Sequence, residues 1–511
     1  MVTTKANEGL TEAQFARFRD LVRQRSGLEV GPRRRGDLEK AVVQALKDND
    51  IADVGSLYAR FTDPARGRPA LESFIATLTI GETHFFRNRA QMEALEEVIL
   101  PDLIERKRNL RRLRIWSAGC ATGEEPYSVA ILLERLIPDL ANWNITILAT
   151  DINRHAIERA QRGTYGSWSF REVPDAIERD YFSEVDGRIE VLPRIRKLVS
   201  FDYLNLIEDA YPSLTTNTQS MDLILCRNVL IYFQEATTTK VVARLGESLV
   251  DGGWLVVGAA EPSQQVFSDF VVHNFPKTVV YQKKAGQHGT VGTLVRPIAT
   301  GAETGVEPAS NAPAPTPSAN PVWPPKGSTS APPPPAIEKD DQGAPAVFGS
   351  IDEAMALIDA GAKDEALAML IGLAQAGPDA SYEAFLVAKM YASRLQLYEA
   401  EHWINIAIER DSLLAPAHYV AGLILQEYGR IEGALAAFRR CNYADPEFAL
   451  GHFALAGLLH RLGQQRRAHK ELENVERILA KQDPEALVPV GDGLTVGRLR
   501  ELVEVHKELL E

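Results

Sequence analysis

The 511-residue chain has only three cysteines, Cys120, Cys226 and Cys441, spaced nowhere near a C-x2-C pattern. A disulfide framework and a thiolate zinc site are therefore excluded, and a reducing compartment fits. No stretch offers about 18 consecutive apolar residues, which excludes an ordinary membrane-spanning helix. The start, MVTTKANEGL, lacks a basic segment followed by an apolar core, so a cytoplasmic location is expected. Positive charge is in deficit: a formal net charge of -13 and a pI near 5.4 argue against a chain devoted to phosphate backbones. What is present, 45% apolar and 24% charged residues, is an ordinary globular composition, enough for several domains.

Composition changes near Ala285 and again near Phe348. The segment 286–348 is rich in proline, including Pro332 to Pro335 in a row, and reads as a semi-rigid linker, with a docking motif for a proline-reading domain as the alternative. Beyond it the sequence repeats every 34 residues. Small residues recur as Ala354, Ala388, Gly422 and Ala456, and again as Ala366, Ala400, Ala434 and Ala468. Gly361, Gly429 and Gly463 keep the same phase, with Leu395 in place of the second glycine. That period, with small residues where helices cross and a glycine between them, is the signature of tetratricopeptide (TPR) repeats, an α-solenoid that binds a protein or peptide. The repeats are expected over 349–485, followed by a helical tail over 486–511.

Residues 10–95 read as an all-α N-terminal domain, with Phe15, Phe18, Leu21 and Val22 at helical spacing. Residues 96–285 alternate apolar strand-like runs with helical patterns, the mark of an α/β sheet. Strands are expected at Leu113 to Ala118, Ile145 to Thr150, Leu198 to Phe201, Met221 to Cys226, Trp254 to Gly258 and Thr278 to Gln282. The alternation is interrupted at about 163–200 by a hairpin-like pattern. The basic run from Arg106 to Arg114 reads as a solvated helix end feeding the first strand.

Several residues fall where chemistry is done in such sheets. After the first strand, Gly119 and Gly123 make a tight turn into a helix that opens with Glu124 and Glu125. The turn is either a cofactor loop exposing backbone N–H groups or an ordinary strand-to-helix turn; the paired carboxylates disfavour a phosphate and suit a cationic amine or sulfonium. Asp151, at the tip of the second strand, either holds ribose hydroxyls or caps the next helix. Arg227, Asn228 and Tyr232 follow the strand ending at Cys226, which itself reads as a core residue. Upstream, Thr83 and Arg87 are four apart and read as sharing a helix face, with Phe85 and Phe86 toward the core. His84 between them reads as a surface or interface histidine, with a base as the alternative.

The segments GETHFFRN, IWSAGCATGEEPYS, LATDIN, FDYLNL, DLILCRNVLIYF and DGGWLVVGAAE follow one another in an order that resembles the CheR family, across about residues 10–285. Those enzymes use S-adenosylmethionine to esterify glutamates of bacterial chemoreceptors, and some members carry TPR extensions. The resemblance implies a Rossmann-like class I methyltransferase domain over 96–285, with a small inserted β-subdomain that in the family can recognise a receptor tail. It implies that Thr83, Arg87, Gly119, Glu125, Asp151, Asn205, Leu206, Arg227 and Asn228 bind the cofactor, and that Arg87 and Tyr232 sit near the transferring methyl. Gly81 departs from the family, where an asparagine contact is common; the contact is then lost or made by Glu82. Glu125 is preferred to Glu124 for the cofactor amine. The implied partners are a chemoreceptor cytoplasmic domain and a ligand of the repeats, without metal, nucleic acid or membrane insertion. The alternatives are a scaffold that binds S-adenosylmethionine without catalysis, or methylation of another protein or a small molecule.

Residues 14–40 carry eight basic side chains against four acidic ones, a local +4 in an acidic chain. This face is either simply solvated or a dock for an acidic receptor helix.

Overall fold

A computed structural model describes residues 9–63, 67–185, 187–207, 211–214, 216–263, 265–284, 349–360, 362–394, 396–508 and 510. The proline-rich segment with Trp323, together with Gly361 and Leu395, lies outside the described residues. Four helices form the N-terminal part: α1 (Glu12–Ser26), α2 (Arg35–Asp48), α3 (Val54–Thr62) and α4 (Arg68–Leu78). Thr11 opens α1 with a reciprocal capping box to Gln14, and left-handed Gly27 (φ 74°) closes it. The apolar faces converge on Phe18, Phe61 and Phe74, packed ring against ring.

Two helices, α5 (Arg89–Ala94) and α6 (Leu100–Lys107), lead into the α/β part. There the order is β1 (Arg112–Ala118), α7 (Glu124–Leu136), β2 (Asn144–Asp151), α8 (Arg154–Arg162), β3 (Thr164–Tyr165), α9 (Asp175–Tyr181), β4 (Phe182–Val185) and β5 (Arg188–Val191). It continues with α10 (Pro193–Arg196), β6 (Val199–Tyr203), β7 (Met221–Cys226), α11 (Glu235–Ser248), β8 (Leu249–Val257), β9 (Phe270–Phe275) and β10 (Thr278–Lys283). The main sheet has the order β6-β2-β1-β7-β8-β10-β9. Its first five strands run parallel and β10 is antiparallel to both neighbours, the mixed sheet of a Rossmann-like class I methyltransferase. Strands buried on both faces explain the near-continuous apolar runs of β1 and β7. The strand order reverses between β1 and β7, so the crevice outside their carboxyl ends is where a ligand sits. The interruption at 163–200 contains a separate antiparallel sheet, β3-β5-β4.

The C-terminal part is four antiparallel helix pairs: α12 (Ile351–Asp359) with α13 (Lys363–Gln375), α14 (Ser381–Ser393) with α15 (Leu397–Arg410), α16 (Ala415–Glu427) with α17 (Ile431–Ala444), and α18 (Ala449–Arg461) with α19 (Gln465–Leu479). A last helix, α20 (Val496–Glu508), follows. The 34-residue period has a physical cause. Ala354, Ala366, Ala388, Ala400, Ala434, Ala456 and Ala468 are fully buried where helices cross. A Cβ at Gly422 would meet the Phe438 ring at 2.4 Å. Gly429 and Gly463 take positive φ in the intervening turns. No helix among the described residues is long and apolar enough to cross a membrane.

The array and the sheet share a buried contact that the sequence did not announce. Arg114, read as part of a solvated run, is only 1% exposed in β1. Its guanidinium donates to Glu427 of α16 at 2.6 Å and to the Asn217 carbonyl at 3.0 Å. Asn144 donates to the Glu427 carbonyl, and Ser220 to that of Ser393. Glu427→Ala should therefore cost about 2–3 kcal/mol of stability, since it leaves a buried guanidinium without its carboxylate. A thermal melt of the full chain that did not shift would contradict this pairing.

A second contact involves α20, where burial pushes the Glu501 carboxyl up to about 7 against the opposing pull of Arg68 and Arg498. The folded chain then holds this proton more tightly than the unfolded chain, whose value is the ordinary 4.5. Its contribution to stability is full at acid pH and is lost as pH rises through about 7. The difference in melting temperature, wild type minus Glu501→Gln, is expected to fall from pH 5 to 7 and then level off. A difference that rises over that window would contradict it.

Candidate active site

A cleft opens at the carboxyl ends of β1, β2, β6 and β7, closed on its other side by the N-terminal helices and the segment after α4. One part, of about 740 Å³, is mostly apolar, with Leu28, Leu78, Ile152, Leu204, Leu206 and Phe233 around Asp151 and Asn205. The adjoining part, of about 670 Å³, is polar and is lined by Glu82, Thr83, Arg87, Glu125 and Arg227. Gly119, Ala121, Asn228 and Tyr232 line both. The residues that the resemblance assigned to the site, namely Thr83, Arg87, Gly119, Glu125, Asp151, Asn205, Leu206, Arg227, Asn228 and Tyr232, all line this cleft.

Gly119 is fixed by geometry: its φ is +85°, and a Cβ would lie 2.3 Å from Val229. Of the two readings of this loop, an N–H cradle is not what its hydrogen bonds form. The Gly119 and Cys120 N–H groups donate to the Thr150 carbonyl, and the Ala121 N–H donates to Asp151 Oδ2 at 2.8 Å. A ligand therefore meets the loop at its bare Cα, while Asp151 locks the loop to β2. The cap of α8 is Asn153, not Asp151, for its side chain accepts from Ala156 N. Burial pushes the Asp151 carboxyl up, opposed by backbone N–H bonds from Asn153 and Ala121.

The adjacent glutamates part company. Glu124, 1% exposed, turns inward to accept from Thr122 Oγ1 and Ser169 Oγ. Glu125 faces the cleft, accepting from Ser117 Oγ at 2.6 Å and Arg227 Nη1 at 3.0 Å. Arg227 is the junction of the site: it also donates through Nε to Gln91 at 2.7 Å and through Nη2 to the Arg87 carbonyl.

Thr83 and Arg87 do not share a helix, because the chain from Thr79 to Asn88 is extended and turned. Phe85 and Phe86 drive this. Both rings are buried, with the Phe85 N–H on the Ser169 carbonyl and the Phe86 N–H on Ser128 Oγ. Phe86 and Asn88 on either side of Arg87 have left-handed φ, 56° and 66°, so the arginine is presented on a strained turn. Its guanidinium donates to the Glu82 carbonyl at 2.6 Å. No carboxylate among the described residues pairs with it. The Tyr232 hydroxyl likewise has no hydrogen-bond partner among the described residues, although its backbone carbonyl is pinned by Glu29 N. His84 is buried rather than superficial, 6% exposed, with Nδ1 2.6 Å from Arg171 and Nε2 3.2 Å from Glu172. Burial lowers its basicity. A Cβ at Gly81 would meet only open space.

Sequence reasoning missed Glu261. Its carboxylate accepts from the backbone N–H groups of Gly258, Asn228 and Ile231, and so sets the loop that carries Asn228 (φ 61°) and Tyr232. Its signal was a carboxylate a few residues beyond a buried strand. Ser117 and Gln91, which orient Glu125 and Arg227, carried no signal of their own. The buried thiols of Cys120 and Cys226 are pushed well up by burial, so neither is a nucleophile. Among the described residues, no cluster of His, Cys, Asp and Glu could hold a metal ion.

An apolar chamber beside a carboxylate, joined to a polar chamber with both charge signs, fits a nucleoside linked to an amino acid. Residues 81–278 match the family model described as CheR methyltransferase, SAM binding domain. "Chemotaxis protein methyltransferase 2" of Vibrio cholerae is 33% identical over 275 residues, 54% of this chain and 94% of that protein. The chain belongs to the CheR methyltransferase family, with S-adenosylmethionine as its cofactor. "Probable biofilm formation methyltransferase WspC" of Pseudomonas aeruginosa is 28% identical over 471 residues, 90% of this chain and 98% of that protein. Among solved structures, a thermophilic TPR protein of Thermus thermophilus is 17% identical over 30% of this chain and 85% of its own, with a TM-score of 0.24.

Proposed function

We propose that this chain methylates glutamate side chains on the cytoplasmic domain of a bacterial chemoreceptor, in chemosensory adaptation. The observation that carries the reading is a pair lining the polar chamber: among the described residues, the Arg87 guanidinium meets no carboxylate and the Tyr232 hydroxyl meets no hydrogen-bond partner. Bound S-adenosylmethionine supplies an electrophilic methyl. The acceptor glutamate, with a pKa of about 4.3, is ionised at neutral pH and needs no general base. The work left to the protein is to hold carboxylate and methyl in line at about 3–3.5 Å. Arg87 forks onto the acceptor carboxylate and Tyr232 fixes its orientation. Thr83, Arg87, Gly119, Glu125, Asp151, Asn205, Leu206, Arg227 and Asn228 hold the cofactor, with Asp151 on the ribose and Glu125 toward the amine.

In this reading the helical domain ends near residue 95, the methyltransferase domain near 285, and the repeats near 485. The protein works in the cytoplasm. The basic segment over residues 14–40 docks an acidic receptor helix. Arg34 and Arg35 are occupied within the domain, by Leu78 O and by Glu39. Arg25 and Arg33 are free of carboxylates among the described residues, and Arg19 and Arg23 share Asp20. Activity on receptor is therefore expected to fall severalfold between 50 and about 300 mM salt, and a flat response would remove the docking role. Because the likeness to the probable biofilm formation methyltransferase WspC covers 90% of this chain, a receptor of a biofilm-formation pathway is the first substrate to try. The test is label transfer from S-adenosylmethionine to a receptor cytoplasmic fragment and to the same fragment with its acceptor glutamates changed to glutamine. Label on the first alone is expected; equal label on both would overturn the reading.

A further inference from the structure

Helix α20 stands on the repeat array by one face. Val496, Leu499, Leu502 and Val503 join the array's core, and Lys507 pairs with Glu476 of α19 at 2.6 Å. Arg498 and Glu501, one turn apart on the same helix, reach beyond the array. Glu501 meets Arg68 of α4 at 2.5 Å and Arg498 at 2.9 Å. Arg498 lies over the Tyr203 ring, 4.5 Å from its centroid, and donates to the Tyr203 carbonyl at 3.3 Å. The same ring carries Arg154 of α8 at 4.3 Å, and Arg154 pairs with Glu72 of α4 at 2.9 Å.

These partners are the supports of the cleft. Tyr203 ends β6 and is followed directly by Leu204, Asn205 and Leu206, which line the apolar chamber. Helix α4 ends at Leu78, also in that lining, and runs on into the segment that presents Thr83 and Arg87. Asn153, two residues after Asp151 and also in the lining, donates to the Ala76 carbonyl and to Thr79 Oγ1. Opposite walls of the chamber are thus tied to each other, and α20 is bonded to both.

We propose that Arg498 and Glu501 of α20 are positioning residues of the cofactor site, holding the ends of β6 and α4 at the separation that S-adenosylmethionine requires. The strut belongs to the repeat-bearing portion of the chain, since α20 follows α19. The inference rests on this cleft being the cofactor site.

The test is calorimetric titration of S-adenosylhomocysteine into full-length variants. Arg498→Ala and Glu501→Ala are each expected to raise Kd about tenfold, and the cofactor KM with it, while kcat at saturating cofactor stays within about twofold. The double variant Arg68→Ala/Glu501→Ala should bind no more weakly than the weaker of its two single variants, because both remove one connection. Arg477→Ala, which removes an exposed pair with Glu447 elsewhere on the array, should leave Kd unchanged. Values within about twofold of wild type in folded Arg498→Ala and Glu501→Ala chains would overturn the proposal, as would losses that multiply in the double variant. If an alanine variant does not fold, Glu501→Gln read by hydrogen exchange decides. Faster exchange at Leu204–Leu206 without change in α16 and α17 supports the strut, and unchanged or uniform exchange removes it. Failure of wild type itself to bind S-adenosylhomocysteine would instead strike the assignment of the cleft.

Discussion

Replacing Arg87 by alanine is expected to lower methyl transfer by about 10²–10³-fold, while S-adenosylhomocysteine binds within about fivefold of wild type. The split follows from how the residue is held. Its carbonyl accepts from Arg227, and the flanking Phe86 and Asn88 fix the turn. None of that is lost when the side chain is cut back to Cβ. Only the guanidinium goes, and with it the cation that receives the acceptor carboxylate. Arg87→Lys should recover little, because an ammonium cannot fork onto two oxygens. Full turnover in Arg87→Ala with normal cofactor affinity would remove Arg87 from the reaction.

Arg227→Ala should act the other way, on binding and on folding together. Cofactor affinity is expected to drop about 100-fold and stability by about 3 kcal/mol. The side chain is 2% exposed and its guanidinium satisfies three groups at once: the Glu125 carboxylate, the Gln91 amide oxygen and the Arg87 carbonyl. Without it, Glu125 keeps, among the described residues, only the Ser117 hydroxyl. The carboxylate then faces the cleft with its orientation lost and its charge uncompensated. Calorimetric titration and a thermal melt on the same preparation check both numbers. An unchanged Kd would mean that the Arg227–Glu125 pair is structural only.

Much of the site was legible because a parallel sheet confines it. Strand β7 is bounded as its apolar run suggests, and β1 and β2 begin or end one residue further out. Once strand ends are known, the residues just beyond them must fall at one crevice. Strand β9 was not legible: Val271 and Val272 are exposed on an edge strand, so burial imposes no simple pattern. The segment around Thr83 and Arg87 was misread as helical because a spacing of four fits a helix face as well as an extended turn. What decides there is the burial of two adjacent phenylalanines against Ser128 and Ser169, which are far away in sequence. The same holds for Arg114. A β1 arginine in a basic run carries no local sign that its carboxylate partner is Glu427, 313 residues on. Such pairings belong to tertiary structure, and no window along the chain contains both partners.

The most direct test of the central claim is the chemistry of the product. Labelled methyl should pass from S-adenosylmethionine to a purified receptor cytoplasmic domain and leave it as volatile methanol under mild base, as a glutamyl ester must. Label that stays on the receptor through base would identify an N-methyl or ether product and contradict glutamate esterification.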